Sequence, residues 1–433
     1  MDSTPAELWT EILHHLRQRD LPSIMLANRT FAQLGRPLLF RHFEFTPYAT
    51  VAPQQFFLPA PRALRWASER LDFWASDRIA PLVRTCVLSP QRPVAAHRLD
   101  QDGKPRYVAV TADEAVVLLD NFIQNLAKFS RTMSFTMMSL PLTNNTLASI
   151  YHSLPQLREL CLCFSTPLPD TSSLGFEIRG SGPKIEALNL WSDAAETGES
   201  LGSLHAISSF FNPKHLKHLE LLGSWTTGAE KLPHLPLLSH CTLEFTNLAA
   251  PNFYAELFSK FLAIEWLRVS WVRGEEPGTP PAAIFDKRQS WLRSIKCLHV
   301  SNHVLPAFLA STDNATELNI SGSTPITDIV TNLRDVRAPH ITTLLLSGEI
   351  PAFAALELSE VIASFPRLVH LSVTVRYFDV HHEPDVHPVD RTVRILGPHL
   401  AYSLHRSSCT QTIAKLFLGA LAKSPFDPRH SSS

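Results

Sequence analysis

Glycine is scarce in this chain, with 15 among 433 residues. Loops that cradle phosphate groups need several glycines at fixed spacing, and no such motif occurs. Gly180-Ser181-Gly182 is not a nucleophile elbow either. Cysteine is equally thin: six residues, at 86, 161, 163, 241, 297 and 409, with no CxxC pair. That excludes the dense disulfide framework of small secreted domains and points to a reducing compartment. Neither sign of charge dominates, since 39 Lys and Arg face 40 Asp and Glu for a net charge of −1. Without a broad basic field, nucleic acid and anionic membranes are not expected as partners. Long apolar runs are missing too. The longest, Ala115–Leu119 and Leu416–Ala422, fall well short of a membrane span. The first residues, MDSTPAELWTEILHHL, lack the basic start and apolar centre of a signal peptide. An intracellular protein, cytoplasmic or nuclear and not secreted, is expected, so that the Asn314-Ala-Thr316 sequon stays unglycosylated.

What the chain does have is apolar weight, 45% hydrophobic against 18% charged residues, which requires a buried core. Thr4-Pro5-Ala6-Glu7 forms a compact helix start. Leu8, Trp9, Ile12, Leu13 and Leu16 follow as one wide stripe on a helix face. Asp20 is placed to cap a second helix through Ile24, Met25, Leu26 and Ala27. Thr30-Phe31-Ala32-Gln33 offers a third start, which Pro37 should stop. Three short helices in about 40 residues cannot make a self-sufficient core, so the surplus apolar side chains need cover from the rest of the chain or from a partner.

The segment TPAELWTEILHHLRQRDLPSIMLANRTF resembles the F-box, a docking motif for Skp1-type adaptors of cullin-based ubiquitin ligases. The matching positions are Pro5, Glu7, Leu8, Ile12, Leu13, Leu16, Asp20, Leu21, Ala27 and Phe31. Thr4 stands where the motif usually has leucine, and Leu39-Phe40 stands where a late tryptophan is common. The ending LLFRHFEF resembles large fungal F-box families. The resemblance implies that Pro5, Leu8, Ile12, Leu13, Leu16 and Leu21 contact the adaptor or support that contact.

Beyond the first 46 residues one pattern recurs. Leu157-x-x-Leu160-x-Leu162 returns as Ile185/Leu188/Leu190, Leu216/Leu219/Leu221, Leu238/Cys241/Leu243 and Ile264/Leu267/Val269. Ile295/Leu298/Val300, Ala315/Leu318/Ile320, Ile341/Leu344/Leu346 and Leu368/Leu371/Val373 continue it. First positions advance by 20 to 31 residues, within the range of leucine-rich repeats. Val83/Cys86/Leu88 and the stretch around Met133 and Phe135 offer two weaker, earlier strands. Stretches with helical periodicity at Leu147–Leu154, Leu204–Phe211, Phe253–Leu262 and Leu356–Phe365 alternate with the strands. Thr111-x-x-Glu114 caps a further helix over Ala115–Lys128.

The expected architecture is therefore α/β: a three-helix F-box over 1–46, then a connecting region over 47–130 with a capping helix and a possible first repeat. An irregular leucine-rich-repeat-like solenoid of parallel strands and helices spans 131–423, and a disordered tail 424–433. A βα-type sheet domain with similar strand spacing is the alternative. Sections 91–110 and 379–391, rich in proline, charge and histidine, read as surface loops.

Alternation along each strand sends one set of side chains to the core and leaves the other on the open sheet face. Trp191, Trp266 and Arg268 fall in the open set, and their types anchor protein interfaces. They are candidates for binding an unknown protein target, unless repeat-to-repeat packing covers the tryptophans. Cys161-x-Cys163 lacks a second pair at zinc-ligand spacing. His381-His382-Glu383 with His387 reads as a solvated loop, so neither metal nor cofactor is expected. No catalytic group has local support. The F-box resemblance implies a substrate-recognition subunit that binds an adaptor, and through it a cullin. The competing expectation is a repeat-based scaffold with no ubiquitin-ligase role.

Overall fold

The computed structural model of the chain describes residues 5–52, 55–59, 61–90, 107–140, 142–163, 182–192, 204–226, 229–245, 256–271, 290–301, 305–309, 312–321, 338, 340–348, 365–377 and 389–396. It divides into two compact units, Met1–Pro233 and His234–Ser433. The first unit begins with α1 (Ala6–His14), α2 (Leu21–Met25) and α3 (Arg29–Leu39), followed by β1 (His42–Phe45), β2 (Ala49–Ala52), β3 (Gln55–Pro59) and α4 (Pro61–Trp74). Then come β4 (Thr85–Leu88), β5 (Tyr107–Val110), α5 (Ala112–Ala115), α6 (Val117–Asn125), β6 (Ser134–Met138), α7 (Asn144–Ser153), β7 (Glu159–Cys163), β8 (Ala187–Trp191) and β9 (His218–Leu222). The second unit contains β10 (His240–Phe245), β11 (Trp266–Trp271), β12 (Cys297–Ser301), α8 (Leu305–Leu309), β13 (Glu317–Ser321), β14 (Thr343–Gly348), β15 (His370–Tyr377) and β16 (Val389–Leu396).

The three N-terminal helices form where the sequence expects them, with different punctuation. Thr4 lies outside the described residues, and Pro5 precedes α1 without a side-chain cap. Asp20 precedes α2 but does not cap it. Its backbone is already helical, at φ −90° and ψ −21°, whereas a capping side chain works from extended backbone. Asn28 has that extended backbone, and its Oδ1 accepts from the Phe31 N–H at 2.7 Å. This starts α3 earlier than Thr30. Pro37 does not stop the helix, which runs on to Leu39 and closes with the Phe40 N–H donating to the Arg36 carbonyl at 3.2 Å. Gly35 lets α2 and α3 touch, since a Cβ there would lie 2.7 Å from Met25 Cγ.

In the first unit β1, β4, β6, β7, β8 and β9 pair in that order, all parallel. In the second, β10 to β15 pair consecutively and parallel, and β16 joins β15 antiparallel. The register aligns the apolar positions strand by strand. Leu160, Leu188 and Leu219 share one row; Leu267, Leu298, Leu318 and Leu344 share another. Apart from Val373, whose side chain is not described, every position of the nine recurring triads is at most 5% exposed. Burying each such side chain contributes roughly 1.5–3 kcal/mol, which is why the spacing of these residues fixes the fold.

A second regularity sits just before most of the parallel strands. The Glu186 carbonyl accepts from both the Lys217 and His218 N–H groups, at 2.9 and 3.0 Å. The carbonyls of Arg41, Arg84, Met133 and Arg158 do the same for the strand that follows, as do those of Ser239, Glu265, Lys296, Thr316 and Thr342. Side chains reinforce the spacing: Lys217 Nζ donates to Glu186 at 2.8 Å and Lys296 Nζ to Glu265 at 2.7 Å.

The array begins earlier than the expected boundary at 131. β1, inside the segment assigned to the F-box, already pairs with β4, because HFEF alternates exposed and buried positions. Its Phe43 and Phe45 enter an aromatic core with Trp74, Phe122 and Phe129. The connecting region therefore holds sheet as well as helices, including a small antiparallel sheet of β2, β3 and β5. Residues 107–110 of the expected loop 91–110 form β5, and 389–391 of the expected loop 379–391 open β16. In both cases β-branched and aromatic residues, Tyr107, Val108 and Val110 in β5 and Val389, Thr392, Val393 and Ile395 in β16, outweigh the loop composition around them.

Thr111 and Glu114 make the reciprocal capping box, and α5, α6 and a 3-10 turn over Leu126–Phe129 fill the expected helix. Thr143 caps α7. The expected helix at Leu204–Phe211 is a 3-10 segment over Leu204–Phe210. Residues 256–259 are helical. Most of the expected helix from Leu356, the loop with His381, His382, Glu383 and His387, and the tail 424–433 lie outside the described residues.

Candidate functional site

Two surfaces carry the residues singled out from the sequence. On the first, α1 places Leu8 and Ile12 one helical turn apart on a common face, 55% and 48% exposed. Leu26, after the last turn of α2, is 88% exposed. Pro5 is exposed and Leu16 half-buried. Leu13 and Leu21 are 2% and 3% exposed, so they hold the helices together and offer nothing to a partner directly. Trp9 meets Phe31 edge-on at 4.9 Å between ring centroids, tying α1 to α3. At the far end, Phe40 meets Phe73 and Trp74 of α4 at 5.9 and 5.5 Å. The helices are thus anchored through α3 and present α1 outward. Leu26 was not among the adaptor candidates. The apolar run Ile24-Met25-Leu26 at the end of a five-residue helix is the signal for it, since three successive positions cannot share one face.

The second surface is the open face of the strands. In the first unit Cys161, Asn189 and Glu220 share a row across β7, β8 and β9. Cys161 Sγ lies 3.1 Å from Cys163 Sγ, since alternate residues of a strand face one way. Their mutual hydrogen bond raises Cys161 and lowers Cys163. Trp191 sits on the same face, half-buried, its indole nitrogen shut off from solvent.

In the second unit His240, Trp266, Cys297 and Glu317 share a row across β10 to β13. The His240 ring stacks on Trp266 at 6.2 Å. The register sets the Cys297 thiol between Trp266 of β11 and Glu317 of β13. Burial first, then Glu317, pushes the Cys297 thiol up to about 12. The row beside it runs Thr242, Arg268, His299 and Asn319. Burial, and then the Arg268 charge, hold His299 down at about 4, so it is neutral at pH 7. Burial raises the carboxyl of Glu244, with Arg268 pulling the other way.

Trp266 and Arg268 therefore lie together on β11, and Trp191 belongs to the other unit. Glu244 and His299 complete the surroundings of Arg268. Alternation along the strands already puts both on the open face, and the pairing register sets them beside Arg268. Among the described residues no group of three or more His, Cys, Asp or Glu has the arrangement of a metal site. No described helix is long and apolar enough to cross a membrane.

No family model matches the chain, and no curated protein matches it. Among solved structures, a protein from Bacteroides fragilis is similar over 70% of each chain, at 11% identity and a TM-score of 0.29.

Proposed function

We propose that the chain is a substrate-recognition subunit of a Skp1–cullin–F-box type ubiquitin ligase, with α1–α3 docking on the adaptor and the strand array holding a target protein. The observation that carries this reading is the outward face of α1. Leu8 and Ile12 stay exposed on a helix whose neighbours Leu13 and Trp9 are engaged inside the protein. Leaving two large aliphatic side chains in water forfeits stabilisation of roughly 1.5–3 kcal/mol each, which a docked adaptor would restore. The F-box-like order of Pro5, Glu7, Leu8, Ile12 and Leu16 points to the same partner. Leu13, Leu21 and Phe31 support the face from beneath. The protein itself would make and break no bonds. It would act by holding a target beside the transfer site at high effective concentration.

Co-purification of a Skp1-type adaptor with the full chain tests this directly. The wild type is expected to capture the adaptor, and the Leu8→Asp/Ile12→Asp double variant to lose it while keeping its circular dichroism and unfolding midpoint. A folded wild type that captures no adaptor would overturn the ligase reading. It would leave an interaction scaffold whose first helices cap the array.

A further inference from the structure

On the open sheet face of the second unit, Arg268 makes no ion pair among the described residues. Arg268 projects from β11 between Thr242 of β10 and His299 of β12. It is half-buried, and its Nε is closed to solvent with no hydrogen-bond partner. The ion pairs among the described residues lie elsewhere, the nearest along the chain being Lys296 with Glu265. Glu244 is one strand away but two positions further along, opposite Ser270. It lies close enough to feel the charge, yet forms no ion pair with it. A guanidinium in such a place is a ready receptor for a planar anion, because its N–H groups match two acceptor oxygens.

We propose that this face binds a carboxylate on a peptide segment of the target, received by Arg268 with the His299 imidazole and the Trp266 ring beside it. The inference rests on the reading of the strand array as the target-binding part, and it names the chemistry of what is bound. Three observations select a carboxylate over a phosphate. Among the described residues one guanidinium stands here, whereas phosphate sites gather several cations. His299 is neutral at pH 7, held so by burial and by Arg268 itself. Glu244 and Glu317 stand on the same face and would repel a dianion more than a monoanion. The rest of the row, Thr242, His299 and Asn319, supplies further hydrogen-bonding groups, and the Trp266 ring, stacked on His240, supplies an apolar wall for neighbouring side chains.

The test is selection of a random dodecapeptide phage library on the immobilised full chain, with Arg268→Gln, Arg268→Lys and Glu244→Gln carried in parallel. Wild type should enrich peptides with Asp or Glu at one position beside apolar residues. Replacing that acid by Gln in the synthetic peptide should weaken binding about tenfold. Arg268→Gln should abolish the acidic enrichment and Arg268→Lys should retain part of it. Glu244→Gln should tighten binding severalfold, a gain that a merely structural role for Arg268 would not produce. Adaptor capture should be unchanged in all three, so a failed ligase reading and a failed carboxylate site give different patterns. Selected sequences without an acidic preference, an empty selection, or enrichment that survives Arg268→Gln would each overturn the proposal. Tighter binding when the acid is replaced by phosphoserine would overturn it in favour of phosphate.

Discussion

The three N-terminal helices and the strand array use apolar residues in opposite ways. In the array, Leu188, Leu267, Leu298 and their counterparts are closed off from water completely. Each strand is covered by the next, and the stock of large side chains matches the space available. In the helices the stock exceeds the space. Leu13 and Leu21 suffice to close the small interior, and Leu8, Ile12 and Leu26 remain outside. A repeating structure consumes its own periodicity, whereas a short helical cluster with too many leucines advertises a surface. The contrast marks out an uncovered apolar face on the helices without appeal to any motif.

The sharpest break between the two regions should come from truncation. Leu298→Ala in the array is expected to cost about 2–5 kcal/mol, read as a fall in the urea midpoint. The Leu8→Asp/Ile12→Asp variant should stay within about 0.5 kcal/mol of wild type. Equal losses in both would show that the helix face is covered after all.

A smaller effect concerns pH. The folded chain holds His299 at about 4 against an ordinary 6.5, so the unfolded chain takes up this proton first on acidification. Its contribution to stability is complete above about 6.5, falls as the pH drops toward 4 and levels off below. Glu244, raised by burial, contributes with the opposite sign, losing stability as pH rises through the carboxylate range. A His299→Gln variant should therefore flatten the slope of unfolding midpoint against pH between 4 and 6.5. An unchanged slope would show that His299 titrates alike in both states.

The smallest effect should be at the strand starts. Lys217→Ala removes an exposed contact to Glu186 and should cost no more than about 1 kcal/mol, less still in high salt. A larger loss would mean that these pairs, rather than the buried rows, set the register.

Much of this was legible in the residues. The triads from Leu157 to Leu368 mark each strand of the array from β7 to β15, because a period of two is written directly into which positions are apolar. The capping box at Thr111 and Glu114 was equally plain. β1 was hidden because HFEF is too short to show its period and sits against a helix. β5 and β16 were hidden by the composition around them. The cap of α2 was misjudged because Asp20 has the right chemistry on the wrong backbone. On the sheet face, Trp266 and Arg268 could be named from their types. The same alternation put His299 and Glu244 on that face, but their place beside Arg268 depends on which residue of one strand lies opposite which of the next, and pairing register is not a property of any single stretch of chain.

The twice-used carbonyl before most of the parallel strands bears on how such an array keeps count. A slip of one residue would turn every leucine of a strand outward. In this protein the slip is opposed before the ladder begins, because the preceding repeat offers one oxygen to two successive N–H groups and both must arrive together. Each repeat is thereby proofread by the one before it. Insertions between repeats are tolerated, as the uneven spacing of 20 to 31 residues attests, while insertions within a strand are not. Such a chain is free to lengthen its loops and acquire new surfaces while its frame stays in phase.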